Sequence, residues 1–416
     1  MNADVKYLLC LLKSVLYNET PPVPTEENDW DNIFVAAGAG EILTLLYKKI
    51  EELPLDKQPD AEKMIWLKNF SMQTGMKKLQ CYDLLAQLLQ EAEKRDIKVI
   101  VFKGPILATL YPEPLLRNSC DLDIYVEPKD VAAMEKLLVS LGYEKNIKHS
   151  KECVPVYVYS NILMLEVHCR LYEDYTGKRI DLLEAMDLTR EDTRMQVNAC
   201  GLDVVTLGYE QQLVFLIFHL AKHISYNGCT LKTIADIVLY INTYIKDIDK
   251  VAFWNKMKQL KYETFCRTLF SIGCYYFGMT KEIFVDNSYS ENIAVSMMQQ
   301  LYYTGILKSN LEKKKDDRRA ASIAFQSVYG KEDKKVSKGR IWLKTLFPSS
   351  KDLSFRYMYA RKHPALVWVA WIHRACNQLT IRFGNQDVEQ LNMAVDVKLA
   401  NQKLSLLKDL DLARKD

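Results

Sequence analysis

The sequence predicts an α+β fold: a small mixed β-sheet core flanked by N-terminal and C-terminal helical regions. Three observations lead there. Apolar residues recur at helical spacing through the first 95 residues, the period drops to two from about residue 96, and helical spacing returns near residue 210. The domain boundaries read from these changes are 1–95, 96–208 and 209–416.

Taken in order, residues 4–17 carry leucines and valines on one helical face, and Pro21-Pro22-Val23-Pro24 stops them. Thr25-Glu26-Glu27-Asn28-Asp29 is expected to open a second helix, its acids suiting the positive end of the helix dipole. Leu43–Leu53 and Asp60–Arg95 continue the helical pattern. Ile97–Phe102 then reads as a strand closed by Lys103-Gly104-Pro105, with a short helix over Ile106–Tyr111. In Asp121–Val126, Leu122, Ile124 and Val126 share one face, and Asp121, Asp123 and Tyr125 share the other. A helix over Lys129–Leu141 follows, and then a hairpin of Val154–Tyr159 and Ile162–Cys169 turning at Ser160-Asn161. Helices are expected over Leu213–Ile224, Leu231–Tyr244, Phe253–Leu260, Phe265–Tyr276 and Ala365–Phe383, with a leucine-bearing helical tail after Gly384. The segments 311–319 and 331–340, charged and mixed in sign, read as solvated faces or loops.

Composition narrows the function. The chain has 416 residues, 49% hydrophobic and 26% charged, with a net charge of only +3. Such a balance supplies no broad basic field for nucleic acid or an acidic membrane surface. The longest apolar run, Pro364–Ile372, is far short of the ~20 residues of a membrane span. The start Met1-Asn2-Ala3-Asp4-Val5 lacks the basic opening of a secretory signal. Ten scattered cysteines without a Cys-x-x-Cys pair read as reduced thiols, so a cytoplasmic location is expected.

The chemistry concentrates on Asp121-Leu122-Asp123. Aspartates are depleted in strands, and two on one face repel each other. A divalent cation is the use that best offsets this cost, because hard cations bind carboxylates together with substrate phosphates. Glu166 and His168 share a face of the predicted hairpin's second strand, so a third acid is available if that strand lies beside the first. His219 and His223 stand at i, i+4, but no third ligand accompanies them and zinc is not expected there. Asp236 either hydrogen-bonds back to the 213–224 helix or faces water.

Phe102-Lys103-Gly104, Tyr111-Pro112, Arg117, Asp121-x-Asp123 and Glu166-Val167-His168 together resemble the uncharacterised bacterial nucleotidyltransferases of the DNA polymerase β-like superfamily. Phe218-His219-Leu220-Ala221-Lys222-His223, followed by Asp236-Ile237, is similar as well. The resemblance implies the polymerase β-like core and transfer of a nucleoside monophosphate, AMP by expectation, from an NTP to an acceptor hydroxyl. Asp121, Asp123 and Glu166 would hold two Mg²⁺, with Mn²⁺ as an alternative, and Glu166 would act as general base. Lys103, Gly104, Arg117, Ser119, His168, Lys222 and His223 would contact the nucleotide and its phosphates. The wider superfamily has Gly-Ser where this chain has Gly104-Pro105, which leaves Ser119, backbone amides or lysine to replace that hydroxyl. The acceptor, a small molecule or a protein side chain, is not specified. The competing reading is a catalytically silent nucleotide-binding or interaction module of the same fold. A tRNA-type nucleotidyltransferase is disfavoured by the charge balance.

Overall fold

In the computed structural model the described residues are 1–119, 121–147, 150, 154–171, 186–226, 228–286, 288–308, short stretches between 347 and 373, and 393–412. The charged segments 311–319 and 331–340, Cys120, and residues 374–383 of the expected apolar helix lie outside them; residues 367–373 are helical. Two compact units divide the chain, 1–314 with 408–416, and 315–407. The second carries a small buried cluster of Leu353, Tyr357, Ala360 and Ala370, and Met393–Asp409 is helical.

The first unit opens with α1 (Ala3–Leu16), α2 (Trp30–Ala39), α3 (Leu43–Glu51) and the 33-residue α4 (Ala61–Glu93). Asp29 does not sit within α2 but caps it, accepting from the Asp31 amide. A short side chain that accepts from a free amide stabilises the start of a helix more than it does the interior. Asn2 and Asp60 cap α1 and α4 in the same way.

The core follows: β1 (Val99–Val101), the short α5 (Pro105–Ala108), β2 (Asp121–Val126), α6 (Val131–Ser140), β3 (Glu144–Lys145), β4 (Val156–Tyr159) and β5 (Leu163–His168). The sheet order is β1-β2-β5-β4-β3, with β2 and β5 parallel and the other pairs antiparallel. One face of this mixed sheet is apolar. Val99, Val101, Leu122, Ile124, Val126, Leu165 and Val167 pack there with Leu85, Leu88 and Ala92 of α4 and Met134, Leu137 and Leu138 of α6. That burial removes apolar area from water and fixes the register, since a one-residue slip would turn every side chain over. The acids are thereby held on the opposite face.

A second hairpin, β6 (Met195–Ala199) and β7 (Leu202–Thr206), has no counterpart in the sequence reading. It turns through Cys200 and Gly201, both at positive φ (53° and 82°). Two such residues make the tight turn that matches strand twist, but Cys-Gly is a weak sequence signal for it. Helices return as α7 (Tyr209–Tyr226), α8 (Leu231–Tyr244), α9 (Lys250–Gln259), α10 (Glu263–Phe277) and α11 (Glu291–Tyr303), the last also unanticipated. The N-terminal helices are tied to them. The Tyr17 hydroxyl reaches the carbonyls of Phe277 and Gly278 (2.8 and 2.9 Å), and Asn242 donates to it. Among the described residues no helix is long and apolar enough to cross a membrane.

Candidate active site

Parallel pairing of β2 with β5 sets Asp123 opposite Glu166 and Tyr125 opposite His168. Cα partners in a parallel ladder point to the same face, so Asp121, Asp123, Glu166 and His168 share the side away from the α4–α6 core. Asp123 is 1% exposed and accepts from two cationic or polar donors. Lys103 Nζ lies 2.9 Å and His168 Nε2 3.1 Å from Asp123 Oδ1, and His168 Nε2 is 3.5 Å from Glu166 Oε2.

Charge balance at the site follows from these contacts. Burial would raise the Asp123 carboxyl, but Lys103 and His168 outweigh it and hold it well below the usual range. Asp121 is raised, by burial and then by the neighbouring Asp123 charge. Burial would lower Lys103, yet the Asp123, Asp121 and Glu166 carboxylates leave it raised. Burial likewise opposes charge on His168, and its bonds to Asp123 and Glu166 reverse the direction.

Gly104 follows β1 at φ 61°, and a Cβ there would come within 2.5 Å of Leu122 Cδ2. A side chain at this position would therefore collide with the strand that carries the acids.

Lys103, Gly104, Asp121 and Asp123 border a cavity of about 310 Å³ between the sheet and helices α7 and α8. Of the expected residues, Lys103, Gly104, Arg117, Ser119, Asp121, Asp123 and His223 line it; Glu166, His168 and Lys222 do not. His219 and His223 present Nε2 atoms 2.9 Å apart, and Lys103 Nζ is 3.5 Å from His219 Nε2. At 2.9 Å the two Nε2 atoms share one hydrogen, so one ring donates and the other accepts. Burial, and then Lys103, push His219 well down and His223 to about 3, so both rings are neutral at pH 7.

Arg117 is bonded neither to Asp121 nor to Asp123. Its Nε and Nη2 each donate at 2.7 Å to Asp236 on α8, and Tyr111 donates to the same carboxylate at 2.8 Å. Asp236 is thus buried and directed at the core, not back at α7 and not at water, because it neutralises a buried guanidinium.

The Arg117 pair belongs to a wider clamp on the segment leading into β2. Thr44 of α3 donates to the Leu116 carbonyl, Lys232 of α8 to Asn118, and Lys78 of α4 to Ser119. The sequence reading missed Lys78 and Lys232. Their signal was a lysine on an otherwise buried helical face: Ser71, Gly75, Lys78, Tyr82 and Leu85 recur at spacings of three and four.

Burial, with Arg117 nearby, lowers Lys78 from its ordinary 10.5 to about 8. Between those values the unfolded chain binds more protons than the folded one, so the Lys78 contribution becomes more favourable as pH rises. Urea denaturation at pH 7.5 and pH 10 should show wild type gaining about 2 kcal/mol relative to Lys78→Met. A difference that does not change with pH would place that ammonium in water.

The donor atoms of Asp123, Glu166 and His168 lie within 4.8 Å of one another, and no other such group of three occurs among the described residues. Asp121 is not in this group, so the compact set differs from the three acids expected. Two carboxylates and an imidazole fit a divalent cation.

A model of the uncharacterised nucleotidyltransferase family matches residues 26–277, more than half the chain. The chain belongs to that family. It is a nucleotidyltransferase, an enzyme that takes a nucleoside triphosphate as substrate and transfers its nucleotidyl group. The matched segment holds the sheet, the acids and both cavity-roofing helices. No curated protein sequence matches this nucleotidyltransferase. Two solved structures are similar to it. The antibiotic-resistance factor ANT(2'')-Ia shares 12% identity over 45% of this chain and 92% of its own, with a TM-score of 0.31. An antigenic nucleotidyltransferase-like protein from Paracoccidioides brasiliensis shares 18% over 38% of this chain and 74% of its own, with a TM-score of 0.26.

Proposed function

We propose that the enzyme carries out metal-dependent transfer of a nucleoside monophosphate, AMP by preference, from an NTP to a hydroxyl on a small molecule or protein. The observation that carries this reading is the parallel register that sets Glu166 beside Asp123, with Asp121 on the same face and Lys103 at the cavity wall. A bound Mg²⁺, held by Asp121, Asp123 and Glu166, would supply charge neutralisation at the triphosphate. Gly104 allows the backbone to approach the phosphates, and Lys103, with Ser119 at the cavity wall, binds them. The acceptor oxygen attacks the α-phosphorus, a new P–O bond forms, and the bond to the β-phosphate oxygen breaks. Pyrophosphate leaves, and Glu166 takes the proton from the acceptor hydroxyl. His223 lines the same cavity and contributes a neutral polar edge rather than charge. The unbridged thiols of Cys200, Cys229, Cys266 and Cys274 accord with a reducing cytoplasm.

Incubation with Mg²⁺, α-labelled NTPs and pooled metabolites or lysate proteins tests this reading. A labelled product and released pyrophosphate are expected, with ATP the best donor, and both should vanish in Asp121→Asn. NTP binding that ignores Mg²⁺ and that variant, with no pyrophosphate, would identify a silent module instead.

A further inference from the structure

Resting on the reading above, we infer that His168 is itself a metal ligand, and that its imidazole biases the site toward Mn²⁺ over Mg²⁺. Two ligands about 2.1 Å from one octahedral ion stand about 3 Å apart when adjacent and about 4 Å apart when opposite. His168 Nε2 is 3.1 Å from Asp123 Oδ1 and 3.5 Å from Glu166 Oε2, the spacing of adjacent positions on one ion. The whole three-atom group falls within 4.8 Å. The strand pairing that sets Asp123 opposite Glu166 also fixes His168 one pleat further along the same face, so the arrangement is built into the sheet.

Both oxygens beside Nε2 belong to carboxylates, which only accept, so Nε2 carries hydrogen in this arrangement. Coordination exchanges that N–H bond for a nitrogen–metal bond and releases the proton to solvent. The ion also takes over the Asp123 oxygen that Lys103 now holds, which frees the ammonium for phosphate. Mg²⁺ favours oxygen ligands and accepts nitrogen poorly, whereas Mn²⁺ takes both. Asp121, outside the group, is left for an ion that accompanies the triphosphate.

The test is calorimetric titration with Mn²⁺ and Mg²⁺ in the presence of α,β-methylene-ATP, combined with electron spin-echo modulation of bound Mn²⁺. Mn²⁺ should bind more tightly than Mg²⁺ and show coupling to one imidazole nitrogen-14. His168→Gln should abolish the coupling and weaken Mn²⁺ by about 10–100-fold, with Mg²⁺ nearly unchanged. Should that variant fail to fold, nitrogen-15 histidine in the wild-type chain should remove the nitrogen-14 signal, while His219→Gln and His223→Gln retain it. Bound Mn²⁺ without nitrogen coupling, or coupling that survives His168→Gln, overturns the inference and leaves nucleotidyl transfer standing. Failure to bind either ion with nucleotide, together with no pyrophosphate release, overturns both.

Discussion

Asp236→Asn is expected to cost about 3–5 kcal/mol of folding stability, the penalty for stranding one member of a buried ion pair. Arg117 is 3% exposed and Asp236 4%, so water cannot replace the lost charge. Two guanidinium nitrogens and the Tyr111 hydroxyl would lose their charged acceptor together. Against a typical total of about 5–15 kcal/mol, such a loss is a large fraction of the fold. Urea denaturation followed by circular dichroism measures it. The companion is Tyr111→Phe/Arg117→Met/Asp236→Leu, which removes every polar member at once and should recover most of the stability. Activity should not recover with it. The pair anchors the residues that enter β2, and Asn118 and Ser119 line the cavity. A loss below about 1 kcal/mol in Asp236→Asn would mean that solvent reaches the pair.

The contrast between this pair and the acids explains what the sequence made legible. Asp121, Asp123 and Glu166 stood out because alternation is local: six residues suffice to assign faces, and charge on a strand is costly enough to notice. Their meeting depended on β2 pairing with β5, a parallel contact across α6, β3 and β4 that no local pattern encodes. The hairpin signal at Ser160-Asn161 supplied the second strand, and the resemblance to a family supplied the pairing. Arg117 and Asp236 are 119 residues apart, and each alone resembles an ordinary surface charge. The same holds for Lys78 and Lys232, whose helices read as amphipathic while the lysines point inward. His168 was recognised as a neighbour of Glu166, but its shorter contact is to Asp123, across the strand pair. β6 and β7 were missed because their turn uses Cys-Gly where Asn-Gly is the stronger signal. Local periodicity thus reports which face a side chain occupies, and long-range pairing decides what it meets there.

Glu166→Gln is expected to lower kcat by about 10²–10⁴-fold, the usual worth of a positioned general base. The substitution keeps the shape and one carbonyl oxygen but takes a charge from the metal-binding set, so KM for the metal–nucleotide complex should rise along with the loss in kcat. Glu166 makes one described polar contact, to His168 at 3.5 Å, and its side chain is 29% exposed, so folding should be preserved. Asp121→Asn should also raise that KM and lower kcat, but it is proposed to bind the ion and not the acceptor proton, so its loss should not depend on the acceptor. Pyrophosphate release measures both variants without knowledge of the natural acceptor, since water can take the nucleotidyl group. A base is needed less as the acceptor becomes more acidic. In Glu166→Gln, then, the loss should shrink with alcohols of lower pKa, whereas in Asp121→Asn it should be the same for all of them. A fall of less than about tenfold in Glu166→Gln, or one indifferent to acceptor acidity, would remove Glu166 from proton transfer and leave it as a ligand alone.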